Sequence, residues 1–528
     1  MNKKNYEKKL PSSIRLIGAD TWCKFFDTLP DELDVQELTD RLDAETETLG
    51  LPPYAGDLVY LESVYREVRA AEEEFPETIP EIMINPSVHL LQLSWSNLVP
   101  LLFSARPQQG KLPEPEGEVV IIWRDPQQQR VKVRAGYAED LLVLKMLVEN
   151  ISRREAAETG GVSISGIDNA FDQAVSRGIL LAPPSRLRRD PESFDIPQGA
   201  DEKFLSARFF TLQWHITQAC DLHCRHCYDR SKRASMTLEQ GMAILDQMHD
   251  FVQARHVRGQ VSFSGGNPLL YQHFWELYEG AADRGLNIAV LGNPCSEEEL
   301  ERLLDIQEPA FFQVSLEGLR DHNDAIRGAG HFDRVIAFLE VLRQLDISSM
   351  VMLTLTGANM DQVMELAEFL QDKVDDFTFN RLSLVGEGAN LKLPDRQAFK
   401  EFLRRYHAAA ADNPVMGLKD NLLNIVRRQE SLAPFGGCTG YGCGAAFNFV
   451  SVLPDGEVHA CRKFPSPIGN IFEHSLAAIY DSPEAARHRR GSSGCRGCLL
   501  RHVCGGCLAV TYSHGLDVFT GKDPFCFI

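Results

Sequence analysis

No run of apolar residues in this 528-residue chain reaches the roughly 18 that a bilayer-spanning helix needs. The stretch from Met1 to Lys9 is basic, but no apolar segment follows it, so a secretory signal is not expected. Positive charge is the scarcer sign: 54 Lys and Arg stand against 74 Asp and Glu, for a net charge of −20. Nucleic acid and anionic lipid reward the opposite balance, so neither is an expected partner. The small basic group Arg186, Arg188 and Arg189 reads as a solvated linker face. A cytoplasmic location is expected, and the length predicts several domains.

Cysteine, by contrast, is abundant. Thirteen thiols in a long chain without secretory features point to metal binding or catalysis rather than disulfides. Residues 1–110 read as mainly helical, in runs such as Gly56 to Glu74 and Val88 to Phe103, and carry no recognisable chemistry. Trp22, Trp95 and Cys23 are assigned there to a core. The Pro-, Gly- and Glu-rich stretch Gln108 to Gly117 reads as a linker. Over 117–185, strand-like Glu118–Arg124 and Val131–Tyr137 precede a helix beginning over Leu141 to Val148. Ser152–Thr159, the turn Gly160-Gly161-Val162 and Ser163–Arg177, with Ser163 as N-cap, form a helix–turn–helix. Together these predict a winged-helix-like module, joined onward by the acidic, proline-broken segment Leu187 to Glu202.

From 205 to 390 one pattern repeats six times: a short apolar strand, a loop and an amphipathic helix. The predicted strands are Leu212–Thr217, Gln260–Ser264, Asn287–Leu291, Phe311–Leu316, Met350–Leu355 and Asp376–Leu384. Parallel units with right-handed crossovers follow. The fold class is α/β: a partial (β/α)6 TIM-like barrel, preceded by the helical and winged-helix-like domains. After it come a helical bridge over 391–434 and a cysteine-rich cluster-binding domain over 435–528. Barrels of this kind place their chemistry at the carboxyl ends of the strands. Eight of the thirteen cysteines fall in the last region, which is rich in Gly, poor in periodic segments and in need of metal to hold it together.

Directly after the first barrel strand stand Cys220, Cys224 and Cys227, in Cys-Asp-Leu-His-Cys-Arg-His-Cys-Tyr. Three thiolates on one loop reach three irons of a cubane cluster and leave the fourth iron open. A zinc reading would take its fourth ligand from His223 or His226. The motif and its place resemble the radical S-adenosylmethionine superfamily. That resemblance implies an open iron chelated by the methionine moiety of S-adenosyl-L-methionine, and reductive cleavage to a 5′-deoxyadenosyl radical. It implies that Tyr228 lies near the adenine and that Gly265 and Gly266 admit the methionine amino group. Asn267 stands where the family usually has Glu, so that contact loses its charge. Ser315 and Glu317 are the implied ribose contacts. Asn380 and Arg381 are the implied contacts of the methionine carboxylate, and Arg327-Gly328 is assigned a structural role.

Further on, Cys443-x12-Gly456-x4-Cys461 and Cys495-x2-Cys498-x5-Cys504-x2-Cys507, with Cys526 last, resemble the SPASM extension of peptide-modifying radical enzymes. The resemblance implies two auxiliary clusters, making three [4Fe–4S] clusters in all. Cys438, Cys443, Cys461 and Cys507 would hold one, and Cys495, Cys498, Cys504 and Cys526 the other. The x2 spacing between Cys504 and Cys507 departs from the usual x3 and leaves swapped ligands open. A zinc ribbon over Cys495 to Cys507 is the alternative. Cys23 and Cys295 fall outside the pattern. Cys295, in Gly-Asn-Pro-Cys after the third strand, is read as an incidental thiol that the rim also brings near a substrate.

The module at 117–185 resembles a precursor-peptide recognition element, to which a leader sequence adds as a strand. The expected function is maturation of a ribosomally made precursor peptide by hydrogen abstraction and thioether (S–C) cross-linking. An external flavodoxin- or ferredoxin-like electron donor is implied. Rival enzymatic outcomes are formylglycine-type dehydrogenation, against which Arg462 counts where relatives carry a carboxylate, carbon–carbon cross-linking and quinone-cofactor maturation. From a different class, an iron–sulfur redox sensor would bind DNA through the helix–turn–helix.

Overall fold

A computed structural model describes residues 10–30, 34–71, 74–103 and 112–528. The basic stretch Met1 to Lys9 and positions 108–111 of the expected linker lie outside the described residues. The chain divides into two units, one formed by 1–162 with 166–184 and the other by 163–165 with 185–528.

The first unit begins with helices Pro11–Ile17, Ala19–Asp27, Val35–Leu49 and Ala55–Ala70. Asp34 caps the third through the amide of Glu37, and Gly50 ends it in the left-handed conformation. Trp22, Phe25, Leu38 and Leu42 form one core. Cys23, assigned to that core by sequence, is exposed instead. Residues Met83–Ile84 (β1) and His89–Leu93 (β2) are strands, and only Val99–Leu102 forms a short 3-10 turn. The helix expected over Val88 to Phe103 is therefore corrected. Leu91 and Leu93 point inward while Leu90 and Gln92 face out, a period of two that a helix cannot satisfy. Glu118–Arg124 (β3) pairs antiparallel with β2 and with Val131–Ala135 (β4). Ile121 and Trp123 pack on helices Ala138–Glu149 and Ile164–Arg177, while Val120 and Ile122 pack with Leu58 and Leu61 of Ala55–Ala70. Covered on both faces, β3 reads as a continuous apolar run. Leu180–Leu181 (β5) returns to pair with β1.

In the second unit the six predicted strands are all present: Phe209–Thr217 (β6), Arg258–Gly265 (β7), Asn287–Leu291 (β8), Phe311–Ser315 (β9), Ser349–Leu355 (β10) and Asp376–Arg381 (β11). They pair in sequence order, each parallel to the next. Helices Leu238–Arg255, Phe274–Asp283, Glu297–Ile306, His331–Gln344 and Val363–Leu370 connect them. Reciprocal caps at Thr237/Gln240 and Ser296/Glu299 fix where two of these helices begin. Trp214, Phe263, Phe312, Phe377 and Phe379 are fully buried between strands and helices.

The carboxyl-terminal region also joins this sheet, which its loop-rich composition did not suggest. Phe449–Val452 (β12) lies parallel to β6, and Glu457–His459 (β13) and Pro467–Asn470 (β14) continue antiparallel, giving nine strands. The helices Arg396–Asp412 and Leu423–Gln429 occupy the bridge. Among the described residues no helix is long and apolar enough to cross a membrane.

Candidate active site

Strand β6 ends at Thr217, and the loop after it carries Cys220, Cys224 and Cys227. Backbone bonds tie the start of this loop to the end of β7: Gly266 donates to Thr217 O (2.9 Å) and Asn267 to Ala219 O (2.8 Å). A Cβ at Gly265 would lie 2.2 Å from Thr217 O, and one at Gly266 would lie 2.1 Å from Ala219 O. The glycines thus let the cysteine loop press against the strand end. Gly265, at φ +136°, also has a backbone that a side chain disfavours.

A cavity of about 950 Å³ opens at the carboxyl ends of the strands. Cys220, Cys224 and Cys227 line it together with Cys438 and Cys461 of the carboxyl-terminal region. Tyr228, Gly265, Gly266, Ser315 and Asn380 line it too, so these sequence-predicted positions converge. Three bonds reach the first cysteine group: Asn293 Nδ2 to Cys220 Sγ and Arg327 Nη1 to Cys224 Sγ, both 3.7 Å, and Leu222 N to Cys220 Sγ, 3.5 Å. Burial raises the Cys224 thiol, and Arg327 opposes that rise.

Two predicted contacts differ, and a third residue, Asn267, sits behind the cavity wall. Glu317 is not among the cavity-lining residues: its carboxylate takes Nε and Nη2 of Arg327, Nε2 of His226 and the amide of Thr354. Burial would raise this carboxyl, but His226 and Arg327 bring it down to about 2. Arg381 touches the cavity, yet its guanidinium is spent on Asp420 (2.6 Å) and on both oxygens of Asp523 (3.0 and 2.7 Å). It therefore braces the carboxyl-terminal region rather than offering a free cation to a carboxylate. Asn267 is 5% exposed and stands behind the lining, its Oδ1 buried without a partner.

Sequence reasoning gave several lining groups no place in the site. Arg327, given a structural role, also lines the cavity and reaches a thiol. Lys419, Arg462 and Lys463 bring positive charge beside Cys438 and Cys461. Arg462 pairs with Asp229 and lies over the Tyr228 ring at 5.1 Å. Burial would raise the Asp229 carboxyl, but hydrogen bonds from Ser231, then Arg462 and Gln218, bring it to about 2. His215, beside Tyr228 Oη at 3.4 Å, is lowered to about 3 by burial and then by Arg462. Adjacency to the patterned cysteines was the available signal for Asp229, Arg462 and Lys463. Cys295 does not line the cavity. Burial pushes its thiol up to about 12, as suits a structural role.

The remaining cysteines fall into two neighbourhoods. Burial raises Cys438, Cys443 and Cys461, the last two to about 12, and each of the three also has Cys507 as a like-charged neighbour. Burial likewise raises Cys495, whose thiol neighbours are Cys498 and Cys526, and Cys504, whose thiol neighbour is Cys495. Asp523 links the groups, accepting from the amides of Cys507 (to Oδ2, 2.9 Å) and Cys526 (to its backbone O, 2.9 Å). Among the described residues no three His, Cys, Asp or Glu side chains close on a single metal ion. Thiolates that each bind their own corner of a cubane need no such closure. Buried thiols of raised pKa are poor nucleophiles, but a metal deprotonates them outright, so this donor set fits iron–sulfur ligation.

Residues 214–370 match the radical SAM superfamily, and residues 443–499 match the SPASM iron–sulfur cluster-binding domain. The chain carries a radical SAM domain followed by a SPASM domain. Such domains bind [4Fe–4S] clusters and S-adenosylmethionine, and the unpartnered Asn267 Oδ1 beside Gly265-Gly266 is a fitting acceptor for the ligand's ammonium group. Mycofactocin maturase MftC of Mycolicibacterium smegmatis is 28% identical over 336 residues, covering 60% of this chain and 82% of that protein. An AdoMet-dependent heme synthase of Methanosarcina barkeri is 26% identical over 346 residues, covering 60% and 95%. Streptococcus suis SuiB, crystallised with its precursor peptide SuiA, shares the fold. Its TM-score is 0.50 at 17% identity, over 78% of this chain and 97% of that one.

Proposed function

We propose that this chain is a cytoplasmic radical SAM maturase of a ribosomally made precursor peptide, forming a thioether cross-link. The observation that carries the reading is the shared cavity: the cysteines after β6 and those at 438 and 461 open on one space of about 950 Å³. A reaction that takes a hydrogen atom at one side and gives up an electron at the other needs both metal sites on one substrate.

Cys220, Cys224 and Cys227 would hold the first of three [4Fe–4S] clusters. Cys438, Cys443, Cys461 and Cys507 would hold the second, and Cys495, Cys498, Cys504 and Cys526 the third. When bound, these groups and S-adenosylmethionine supply hydrogen abstraction from an unactivated carbon and an acceptor for the electron left behind. The protein's part is to place the reactants and keep water out. The backbone at Gly265 and Gly266, with Ser315 and Asn380, frames the cofactor side. Phe209, Leu291, Phe311, Met350, Met352 and Phe449 supply apolar wall. Lys419 and Lys463 favour the thiolate form of a substrate cysteine near Cys438 and Cys461.

The peptide reading rests on the MftC resemblance and on the module at 117–185, whose β4 is an edge strand to which a leader could add; β2, before the module, is the other edge of the same sheet. Residues 391–434 are read as the bridge and 435–528 as the cluster domain, and a flavodoxin- or ferredoxin-like protein as the electron donor. The heme synthase matches 60% of this chain over nearly its own full length, so a tetrapyrrole substrate is the competing reading. Formylglycine formation is disfavoured because Asp229, a carboxylate near Arg462, is committed to ion pairs with Arg462 and Arg233.

The test is anaerobic incubation of the reconstituted chain with S-adenosylmethionine, a reductant and a leader-bearing peptide containing cysteine. The expected result is 5′-deoxyadenosine formed in proportion to peptide, with product lighter by two hydrogens and one thiol no longer alkylated. Turnover of an iron porphyrin instead, with the peptide unchanged, would overturn the reading.

A further inference from the structure

The loops after β6, β7 and β8 meet at one carboxylate. Asp221, between the first two patterned cysteines, accepts Nδ2 of Asn267 at 3.1 Å and Nδ2 of Asn293 at 2.6 Å. A carboxylate only accepts, so it takes the NH2 end of each amide and turns both carbonyl ends away. Asn293 is 7% exposed and lines the cavity, and its Nδ2 also reaches Cys220 Sγ. Asn267 is 5% exposed, and its Oδ1 has no partner. That oxygen sits beside cavity-lining Gly292, where an added Cβ would meet it at 3.3 Å. A buried amide oxygen left unsatisfied costs stability unless something donates to it.

We propose that Asp221 is a positioning residue that fixes Asn267 and Asn293 as paired acceptors for the ammonium group of bound S-adenosylmethionine. The inference rests on the radical SAM reading and extends it to two residues, Asp221 and Asn293, that the resemblance does not assign. It also accounts for the neutral Asn267. With Asp221 one amide away, the negative charge absent from position 267 is supplied from the cysteine loop, and the ammonium meets two oriented oxygens backed by a shared anion. Neither Asn alone would hold its orientation, because an unanchored amide presents N–H and C=O with equal ease.

The experiment is equilibrium dialysis of labelled S-adenosylmethionine against the reconstituted full chain, with iron per chain measured on the same sample. Asp221→Asn keeps the size but can donate, so the amides lose their fixed sense. Affinity is expected to fall about tenfold, the loss of roughly one charge-assisted hydrogen bond, while iron content stays unchanged. A sulfonium analogue lacking the α-amino group should bind wild type and D221N alike. Adding Asn267→Glu to D221N should restore most of the affinity. Should D221N retain less iron, Asn293→Ala, which leaves Asp221 in place, gives the second reading, with the same expected loss for S-adenosylmethionine and none for the analogue. Unchanged affinity in both variants would overturn the proposal, and so would equal losses for ligand and analogue. Wild type that binds neither compound would overturn the radical SAM reading beneath it.

Discussion

Arg327 gives Nε and Nη2 to a single carboxylate oxygen of Glu317, at 2.9 and 2.6 Å, and turns Nη1 to Cys224. Both partners of this pair are almost wholly buried. Removing one partner of a buried pair leaves a charge with neither water nor counterion. Glu317→Gln is therefore expected to destabilise the full chain by about 3–5 kcal/mol, read as a lower denaturant midpoint. Arg327→Lys should recover little, since an ammonium cannot reach the carboxylate and the thiol in the same geometry. An E317Q midpoint equal to wild type would show that the Glu317 charge is not what holds Arg327 and His226 in place.

Gly266 tests whether the cysteine loop depends on its contact with β7. An alanine methyl there would lie 2.1 Å from Ala219 O and 2.9 Å from Cys220 Cβ, with no flexible side-chain end to yield. Gly266→Ala should lose the same iron as a variant lacking Cys220, Cys224 and Cys227, falling from about twelve to about eight per chain. Iron and acid-labile sulfide after anaerobic reconstitution measure this. About four irons with zinc in wild type would instead mean that the carboxyl-terminal cysteines hold a different metal.

The six strands and their helices were legible because each carries its signal locally, in apolar runs and in caps such as Thr237 with Gln240. Strand β13 has three residues and β12 four, and β12 pairs with β6 more than two hundred positions away, so nothing nearby marks them. The same limit explains Glu317 and Arg381. Their places at strand ends were readable, but whether a side chain enters the cavity or the wall depends on distant partners. Asp523, which claims Arg381, lies 142 positions later. His89–Leu93 was misread because two leucines in a row suit either period, and its partner strand follows an intervening segment. The thiols were found because ligand spacing is itself a local pattern.

Stability should fall on acidification partly through His215. Its folded-state value is about 3, lowered by burial and then by Arg462, against an ordinary value of 6.5. Between those two values the unfolded chain binds a proton that the folded chain refuses, so stability is full above 6.5 and drains as pH falls toward 3. The slope contributed is at most about 1.4 kcal/mol per pH unit. His331, lowered to about 4 mainly by burial, acts in the same direction over a narrower window. His215→Gln should flatten the denaturant midpoint against pH between 6.5 and 4 without abolishing its slope. A parallel curve for the variant would mean that His215 is not neutral in the folded chain.

Asp523 joins three things that the sequence keeps apart: Arg381 at the end of β11, the amide of Cys507 and the amide of Cys526. Its carboxylate is 1% exposed, and Arg381 is 2% exposed with Asp420 as its other anion. Asp523→Asn keeps the volume but halves the negative charge facing Arg381, and it puts a donor where the Cys507 amide needs an acceptor. The loss should therefore appear first in the carboxyl-terminal region and not in the loop after β6. Iron is expected to fall toward about four per chain, while S-adenosylmethionine still binds. Asp420→Asn removes only the charge beside Arg381 and touches no cysteine amide, so it should destabilise the chain while retaining more iron. Equal iron loss in both variants would assign the effect to the buried arginine alone. Iron loss confined to D523N would show that the same carboxylate sets the position of Cys507 through its amide, and of Cys526 through the amide of neighbouring Phe525.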